Sequence, residues 1–181
     1  MRRIVVSEFV TLDGVAEEPG KWSFPFWNEE IGKFKFDELF SSDALLLGRV
    51  TYQGFAAAWP SMSDDAGYAK RMNGSPKHVV SRSLEKLEWN NSHLIKGDIA
   101  KEVSKLKQQP GQDLLVFGSG QLVNALMQHD MIDEYRFLVY PVILGSGKRF
   151  FSDANKATLK LVETKTFGSG VVLLRYQPSR K

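Results

Sequence analysis

Cysteine is absent from the 181 residues. That excludes a disulfide framework, a zinc ribbon, a thiolate nucleophile and an iron–sulfur cluster. Long apolar runs are absent as well. Stretches such as residues 44–47 fall far short of the roughly 20 residues needed to span a bilayer. Histidine is scarce: residues 78, 93 and 129 lie too far apart for ligand spacing, so no metal site is expected. No charge sign dominates, because 24 Lys and Arg against 21 Asp and Glu leave only +3. That excess is too small and too scattered to mark a nucleic-acid surface, though it is compatible with anionic ligands. Near the N-terminus, the apolar run that follows Arg2 and Arg3 is short and is cut by Glu8. It does not read as a secretory leader, so a cytoplasmic protein is expected, with no membrane and no nucleic-acid partner. Asn73-Gly74-Ser75 and Asn90-Asn91-Ser92 then read as turns, not glycosylation sites.

What is present is ordinary for a soluble globular chain: 43% hydrophobic and 25% charged residues. The length suits one domain over residues 1–181. Short apolar strands are predicted at residues 4–9, 44–47, 77–81, 93–95, 114–117 and 135–139. Helices alternate with them. Asn28 caps one that carries Ile31, Phe34, Leu39 and Phe40 inward. Others span residues 49–58 and 121–129, and Asp98 starts one that bears Ile99, Val103 and Leu106. Residues 61–74 suggest a lid-like helix with loose ends. Two closing strands, residues 159–167 and 171–176, are joined by Gly168-Ser169-Gly170 as an antiparallel hairpin. The expected fold class is therefore α/β: three layers, a mostly parallel mixed sheet, helices on both faces and an antiparallel C-terminal hairpin. In open sheets of this kind ligands sit beyond the carboxyl ends of the strands.

Three of those ends look alike. Residues 45–47 run into Gly48-Arg49-Val50-Thr51, residues 79–80 into Ser81-Arg82-Ser83, and residues 115–117 into Gly118-Ser119-Gly120-Gln121. A helix's first turn offers unpaired N–H groups and a partial positive charge. Glycine lets an anion approach the backbone, hydroxyls can donate, and arginine binds phosphate oxygens bidentately. Side by side, the three ends would grip a ligand with several phosphates, such as a dinucleotide. Taken singly, each is also explained as an ordinary turn or surface loop. The dinucleotide fingerprint is not met, since position 123 is Val. The triphosphate-loop spacing fails too, since positions 142 and 149 are Val and Arg.

The order Thr11-Leu12-Asp13-Gly14, Leu47-Gly48-Arg49-Val50-Thr51-Tyr52, Ser81-Arg82 and Phe117-Gly118-Ser119-Gly120 resembles the dihydrofolate-reductase-like superfamily. The nearer resemblance is to the reductase domain of the bifunctional riboflavin-biosynthesis deaminase/reductase. It is echoed by Ile132-Asp133-Glu134-Tyr135 and by residues 141–148, and it runs from about residue 2 to 177. The resemblance implies an NADPH cofactor. It assigns Leu47, Gly48, Arg49, Val50 and Thr51 to phosphate binding, and Ser81 and Arg82, with Ser83 nearby, to the 2′-phosphate. Gly118, Ser119, Gly120, Gln121 and Leu122 would hold the pyrophosphate. Val10, Thr11 and Asp13 would line the nicotinamide and substrate pocket, and Lys96 would lie near the adenine. A homodimer is also implied, and the apolar stretch of residues 135–151 could contribute to it.

The resemblance has gaps. Folate reductases carry a carboxylate on the first helix, whereas the corresponding region, residues 29–34, has Gly32 in its middle. No zinc deaminase can be present without cysteine. A stand-alone NADPH-dependent reductase is therefore expected, similar to 5-amino-6-(5-phosphoribosylamino)uracil reductase. Its substrate would be a small heterocycle, imine or carbonyl compound. A genuine or weak dihydrofolate reductase and a non-catalytic NADP(H)-binding protein are the alternatives. Asp13 is the candidate catalytic group, as proton source or substrate hydrogen-bonder, although Asp-Gly is equally a common turn pair. Trp22, Phe26 and Trp27 could form an aromatic wall over a flat substrate, or simply pack in the core.

Overall fold

The computed structural model describes residues 1–118, 120–151 and 156–179. Eight strands among them form one sheet: β1 (Ile4–Thr11), β2 (Ser42–Gly48), β3 (Lys77–Val80), β4 (Ser92–Ile95), β5 (Asp113–Phe117), β6 (Glu134–Tyr140), β7 (Leu159–Thr166) and β8 (Val172–Pro178). Their order across the sheet is β4-β3-β2-β5-β1-β6-β8-β7. Every pairing from β4 to β6 is parallel. Strand β8 is antiparallel to both β6 and β7, as the closing hairpin requires. This is the dihydrofolate-reductase-like arrangement. The central strands are apolar on both faces because helices cover both.

The helices are α1 (Glu29–Phe40), α2 (Arg49–Ala58), α3 (Tyr68–Gly74), α4 (Ile99–Gln108) and α5 (Gly120–Gln128). On one face, Val103 and Leu106 of α4 and Leu122, Val123 and Leu126 of α5 pack on Ile4, Val6, Leu46, Leu114 and Val116. On the other, Leu39 of α1, Tyr52 of α2 and Met72 of α3 cover Val5, Leu45, Leu47, Val79 and Leu115. A third cluster joins Ile31 to Leu138, Tyr140, Phe167 and Leu173, toward the hairpin. The caps on α1 and α4 are side chains: Asn28 accepts from the Ile31 N–H and Asp98 from the Lys101 N–H. Each satisfies an N–H that the first helical turn leaves unpaired.

Some local expectations differ from the structure. Strand β1 runs two residues further than predicted, because Val10 and Thr11 pair with Val139 and Tyr140. The helix expected over residues 61–74 is confined to α3. Asp64 starts it, its carboxylate accepting from the Tyr68 and Ala69 N–H groups. On α1, Phe40 points outward and stacks on Phe36 with ring centroids 4.1 Å apart. The buried set is instead Ile31, Lys35, Glu38 and Leu39. An apolar-periodicity reading passes over the two charged members.

Parallel pairing places the carboxyl ends of β1, β2, β3 and β5 along one edge of the sheet. The three similar turns therefore meet there, although 70 residues separate Gly48 from Gly118 in the sequence.

Candidate functional site at the carboxyl edge

Strand β2 ends at Gly48, and α2 begins at the next residue. No side chain caps this helix. Among the described residues, its first N–H groups have no side-chain partner, unlike those of α1 and α4. Arg49 and Val50 are exposed, and among the described residues the Arg49 guanidinium reaches only Gln53, at 3.2 Å. Thr51, half-buried, faces the end of β5: a Cβ placed on Gly118 would lie 2.3 Å from its Oγ1. Gly118 has a φ of +66°, so both backbone conformation and close approach demand glycine there. Gly120 is hemmed in as well, since a Cβ would lie 2.6 Å from the Phe150 carbonyl oxygen. The first turn of α2 and the glycine turn after β5 are thus one packed unit. Gln121 is exposed in the first turn of α5. The assigned Ser119 lies outside the described residues. Leu47, Leu122 and Val10 are buried apolar side chains, so only their backbones can serve a ligand.

The turn after β3 sits on the same edge. The Ser81 hydroxyl accepts from the Ser83 and Leu84 N–H groups and shapes the loop. Arg82 and Ser83 are exposed, and among the described residues Arg82 has no ion pair. Lys96 follows β4 at the edge's far end and is exposed. The structure therefore brings the α2 turn, the Arg82 loop and the glycine turn to one edge, with Lys96 beyond them.

Asp13 has a different setting. Its carboxylate accepts from the Thr11 hydroxyl at 2.6 Å, the Gly145 N–H at 2.9 Å and the Leu144 N–H at 3.3 Å. The Arg149 guanidinium binds the Asp13 carbonyl, and the Phe150 N–H binds that of Gly14. The Thr11 hydroxyl accepts in turn from the Val15 N–H. Together these bonds pin residues 141–150 to the turn after β1. The hydroxyl of Thr11 and the N–H groups of Gly145 and Leu144 pull the Asp13 carboxyl down to about 2. A carboxylate so committed and so acidic is a poor proton source at neutral pH. Its observed work is that of a loop clamp.

The aromatic residues divide. Trp22 is buried, donates its indole N–H to the Glu17 carbonyl, and lies edge-on to Tyr140 at 5.3 Å. Phe26 meets the same ring at 6.0 Å. Trp27 is 48% exposed and packs beside Gly32 at the start of α1. Of the three, Trp27 alone presents a large face to solvent. The Tyr140 hydroxyl, deep in this cluster, has no hydrogen-bond partner among the described residues, and burial pushes it well above the ordinary tyrosine range.

Two groups of charged residues have no counterpart in the sequence-based expectations. The first links α1 to the sheet. Lys35 donates to Glu38 at 2.5 Å and to the Ser7 hydroxyl at 2.9 Å. Its ammonium lies 4.4 Å from the Phe117 ring centroid. Arg136 joins Glu38 to Glu134, and Arg175 also binds Glu134. Burial works to raise the Glu134 carboxyl, but the bonds from Arg136 and Arg175 outweigh it and hold it below its ordinary value. The second is Glu8. It lies within β1, flanked on its own face by Val6 and Val10, and is only 7% exposed. Its carboxyl is near enough to the Gly118 N–H to feel its pull, while its Oε1 is buried without a partner among the described residues. In the sequence Glu8 registers only as a break in an apolar run. The signal that could have found it is a lone carboxylate in a strand that must be covered on both faces.

The comparisons with known proteins agree with this architecture. The protein YyaP of Bacillus subtilis, itself uncharacterized, is 33% identical over 180 residues, covering 97% of this chain and 94% of its own. A putative riboflavin biosynthesis protein from Shewanella sp. PV-4 superposes with a TM-score of 0.80 at 18% identity, over 98% of this chain and 99% of that one. A dihydrofolate reductase from Enterococcus faecalis, solved as a complex with NADP(H), gives 0.62 at 14% identity, over 98% and 97%. Both structural likenesses are likenesses of fold. The RibD C-terminal domain model matches residues 2–173, nearly the whole chain, and the protein belongs to that family.

Proposed function

We propose that the protein is an NADPH-dependent reductase that transfers hydride to a small heterocyclic, imine or carbonyl substrate, as a cytoplasmic homodimer. The carrying observation is the junction of the uncapped α2 N-terminus with the Gly118 turn, where Thr51 fills the space a Cβ on Gly118 would need. Free helix N–H groups, a glycine turn and two exposed arginines make a donor set suited to a pyrophosphate and a third phosphate. Membership of the RibD C-terminal domain family supports the reductase reading. The homodimer rests on the resemblance and on the exposed side chains of Ile143, Leu144 and Phe151; sedimentation velocity tests it, a monomer at high concentration being the adverse result.

Gly48 to Thr51 and Gly118 to Gln121 would hold the pyrophosphate, and Arg82 the 2′-phosphate. Bound cofactor supplies the hydride; the chain supplies binding, alignment and shelter from water. Asp13 fixes residues 141–150 beside the end of β1 and is not used as an acid. Trp27 offers the exposed ring for a flat substrate. A separate 780 Å³ groove lined by Gln53, Ala56, Leu84 and Trp89 runs along the flank of α2.

Calorimetric titration with NADPH and NADH tests the reading. NADPH should bind the more tightly, and Arg82→Ala should remove most of the preference. One charge-assisted contact is worth about 1.5–3 kcal/mol, roughly 10- to 150-fold. Equal loss of affinity for both cofactors in that variant would remove Arg82 from the 2′-phosphate. Binding of neither by the wild type would remove the cofactor.

A further inference from the structure

Beside the end of β5, strand β1 holds a buried carboxyl group that architecture does not explain. The β1–β5 ladder runs to Ser7 opposite Phe117. Glu8 and Gly118 come next, where β5 has ended and its turn begins. Glu8 is buried, yet among the described residues one of its oxygens has no partner. Buried polar groups are nearly always satisfied, so such an atom asks for a reason. The nearest backbone donor acting on it is the Gly118 N–H, one step past the Ser7–Phe117 pair and in the turn assigned above to the pyrophosphate.

We propose that Glu8 is a positioning residue of the cofactor crevice: as the neutral acid it supports the Gly118 turn for an anionic ligand, and as the carboxylate it opposes that ligand. The inference rests on the reductase reading. A carboxylate at Glu8 would tighten its hold on the Gly118 N–H and place a like charge next to bound phosphate in a site shielded from water.

The surroundings favour the neutral form. By strand alternation Glu8 shares a face with Val6 and Val10, which belong to the apolar core under α4 and α5. Its neighbour across the β6 ladder is Phe137. The charged groups that reach it come from α1: Lys35, which draws it toward ionisation, and Glu38, which resists. Burial is the largest influence and carries the carboxyl up to about 8, against the pull of Lys35 and the Gly118 N–H. Ionisation of Glu8 would then fall within the range in which the protein can be assayed.

The test is titration with NADPH and, in parallel, with NADH, which lacks the 2′-phosphate and its separate ionisation. Both dissociation constants should rise by roughly tenfold between about pH 7 and about pH 9, following the loss of one proton. In Glu8→Gln the same profile should be flat. Wild-type protein at about pH 9, titrated in two buffers of different ionisation heat, should take up close to one proton on binding. This measurement needs no variant, so it decides the matter even if Glu8→Gln fails to fold. Infrared difference spectra at neutral pH should also show a protonated-carboxyl band that Glu8→Gln lacks, with no ligand present. Tight binding that is independent of pH and takes up no proton at about pH 9 overturns the role of Glu8 while leaving the cofactor site intact. Failure of both cofactors to bind at every pH overturns the reductase reading and this inference with it.

Discussion

The two flanks of β1 carry polar groups to opposite ends. Toward β6, Ser7 joins Lys35, Glu38, Arg136 and Glu134 in a buried network in which each member has partners. At the strand's end, Asp13 closes a loop with three accepted hydrogen bonds. Toward β5, Glu8 lies beside the Gly118 turn and, among the described residues, leaves one oxygen unpaired. The first flank uses charge to fix the position of α1 and the 141–150 loop. The second keeps an awkward group where fitting an apolar side chain would satisfy packing better. Satisfied networks report architecture, and an unsatisfied buried group in a crevice reports a site. Asp13 and Glu8 make the lesson sharp, because they are carboxylates five residues apart, held down to about 2 and pushed up to about 8.

The comparison can be broken at several points. Lys35→Met strips a buried partner from Glu38 and should have the largest effect. Removing one member of such a pair costs about 3–5 kcal/mol, which for a chain of this size lowers Tm by roughly 10 °C. Thermal unfolding measures it. The affinity of the folded fraction for NADPH should change little, and a large loss of affinity without loss of stability would place Lys35 in the site instead. Gly118→Ala should do the reverse. It asks for a Cβ where Thr51 already sits and for a φ that L-residues avoid. NADPH affinity should fall about 100-fold, equivalent to ~2.7 kcal/mol, as read by titration. An unchanged affinity would mean that the turn does not touch the ligand.

The two carboxylates should give substitutions of opposite sign. The folded-state value of Glu8 lies above its ordinary 4.5. Between about 4.5 and about 8 the unfolded chain releases a proton that the folded one keeps, so this group lowers stability as pH rises through that window. Glu8→Gln removes the requirement and should stabilise the protein by roughly 1–3 kcal/mol at neutral pH. Asp13 has its folded value depressed, so its contribution is present above its ordinary 3.8 and is lost as pH falls toward about 2. Asp13→Asn should lower Tm modestly at neutral pH, with the difference vanishing in acid. Tm profiles of both variants from acid to neutral pH check the signs. Two shifts in the same direction would dissolve the contrast.

Much of the fold is legible in the sequence for a simple reason. Short apolar runs such as Leu45-Leu46-Leu47 and Leu114-Leu115-Val116 need cover on both faces, and Asn28 and Asp98 announce helix starts. The turns at Gly48, Ser81 and Gly118 are legible because their chemistry is local: small residues, hydroxyls and arginines directly after a strand. Their convergence on one edge follows from parallel pairing alone. What sequence reasoning does not reach is the work of single polar residues inside apolar patterns. Lys35 and Glu38 carry no apolar signal on α1, and their partners Arg136 and Glu134 come from a strand about 100 residues away. Asp13 reads as a candidate acid until residues 144 and 145 supply the N–H groups that hold it ionised. Glu8 shows in the sequence only as a lone carboxylate in an apolar strand, because its meaning depends on where β5 ends.

The most direct test of the carboxyl-edge site is a crystal structure of the protein grown with NADP⁺. The account predicts the pyrophosphate on the first turn of α2 and on the Gly118–Gly120 turn, Arg82 on the 2′-phosphate, and the nicotinamide end entering between β1 and β5 beside Glu8. A dinucleotide lodged in the groove between α2 and Trp89, with the strand ends left empty, would contradict it.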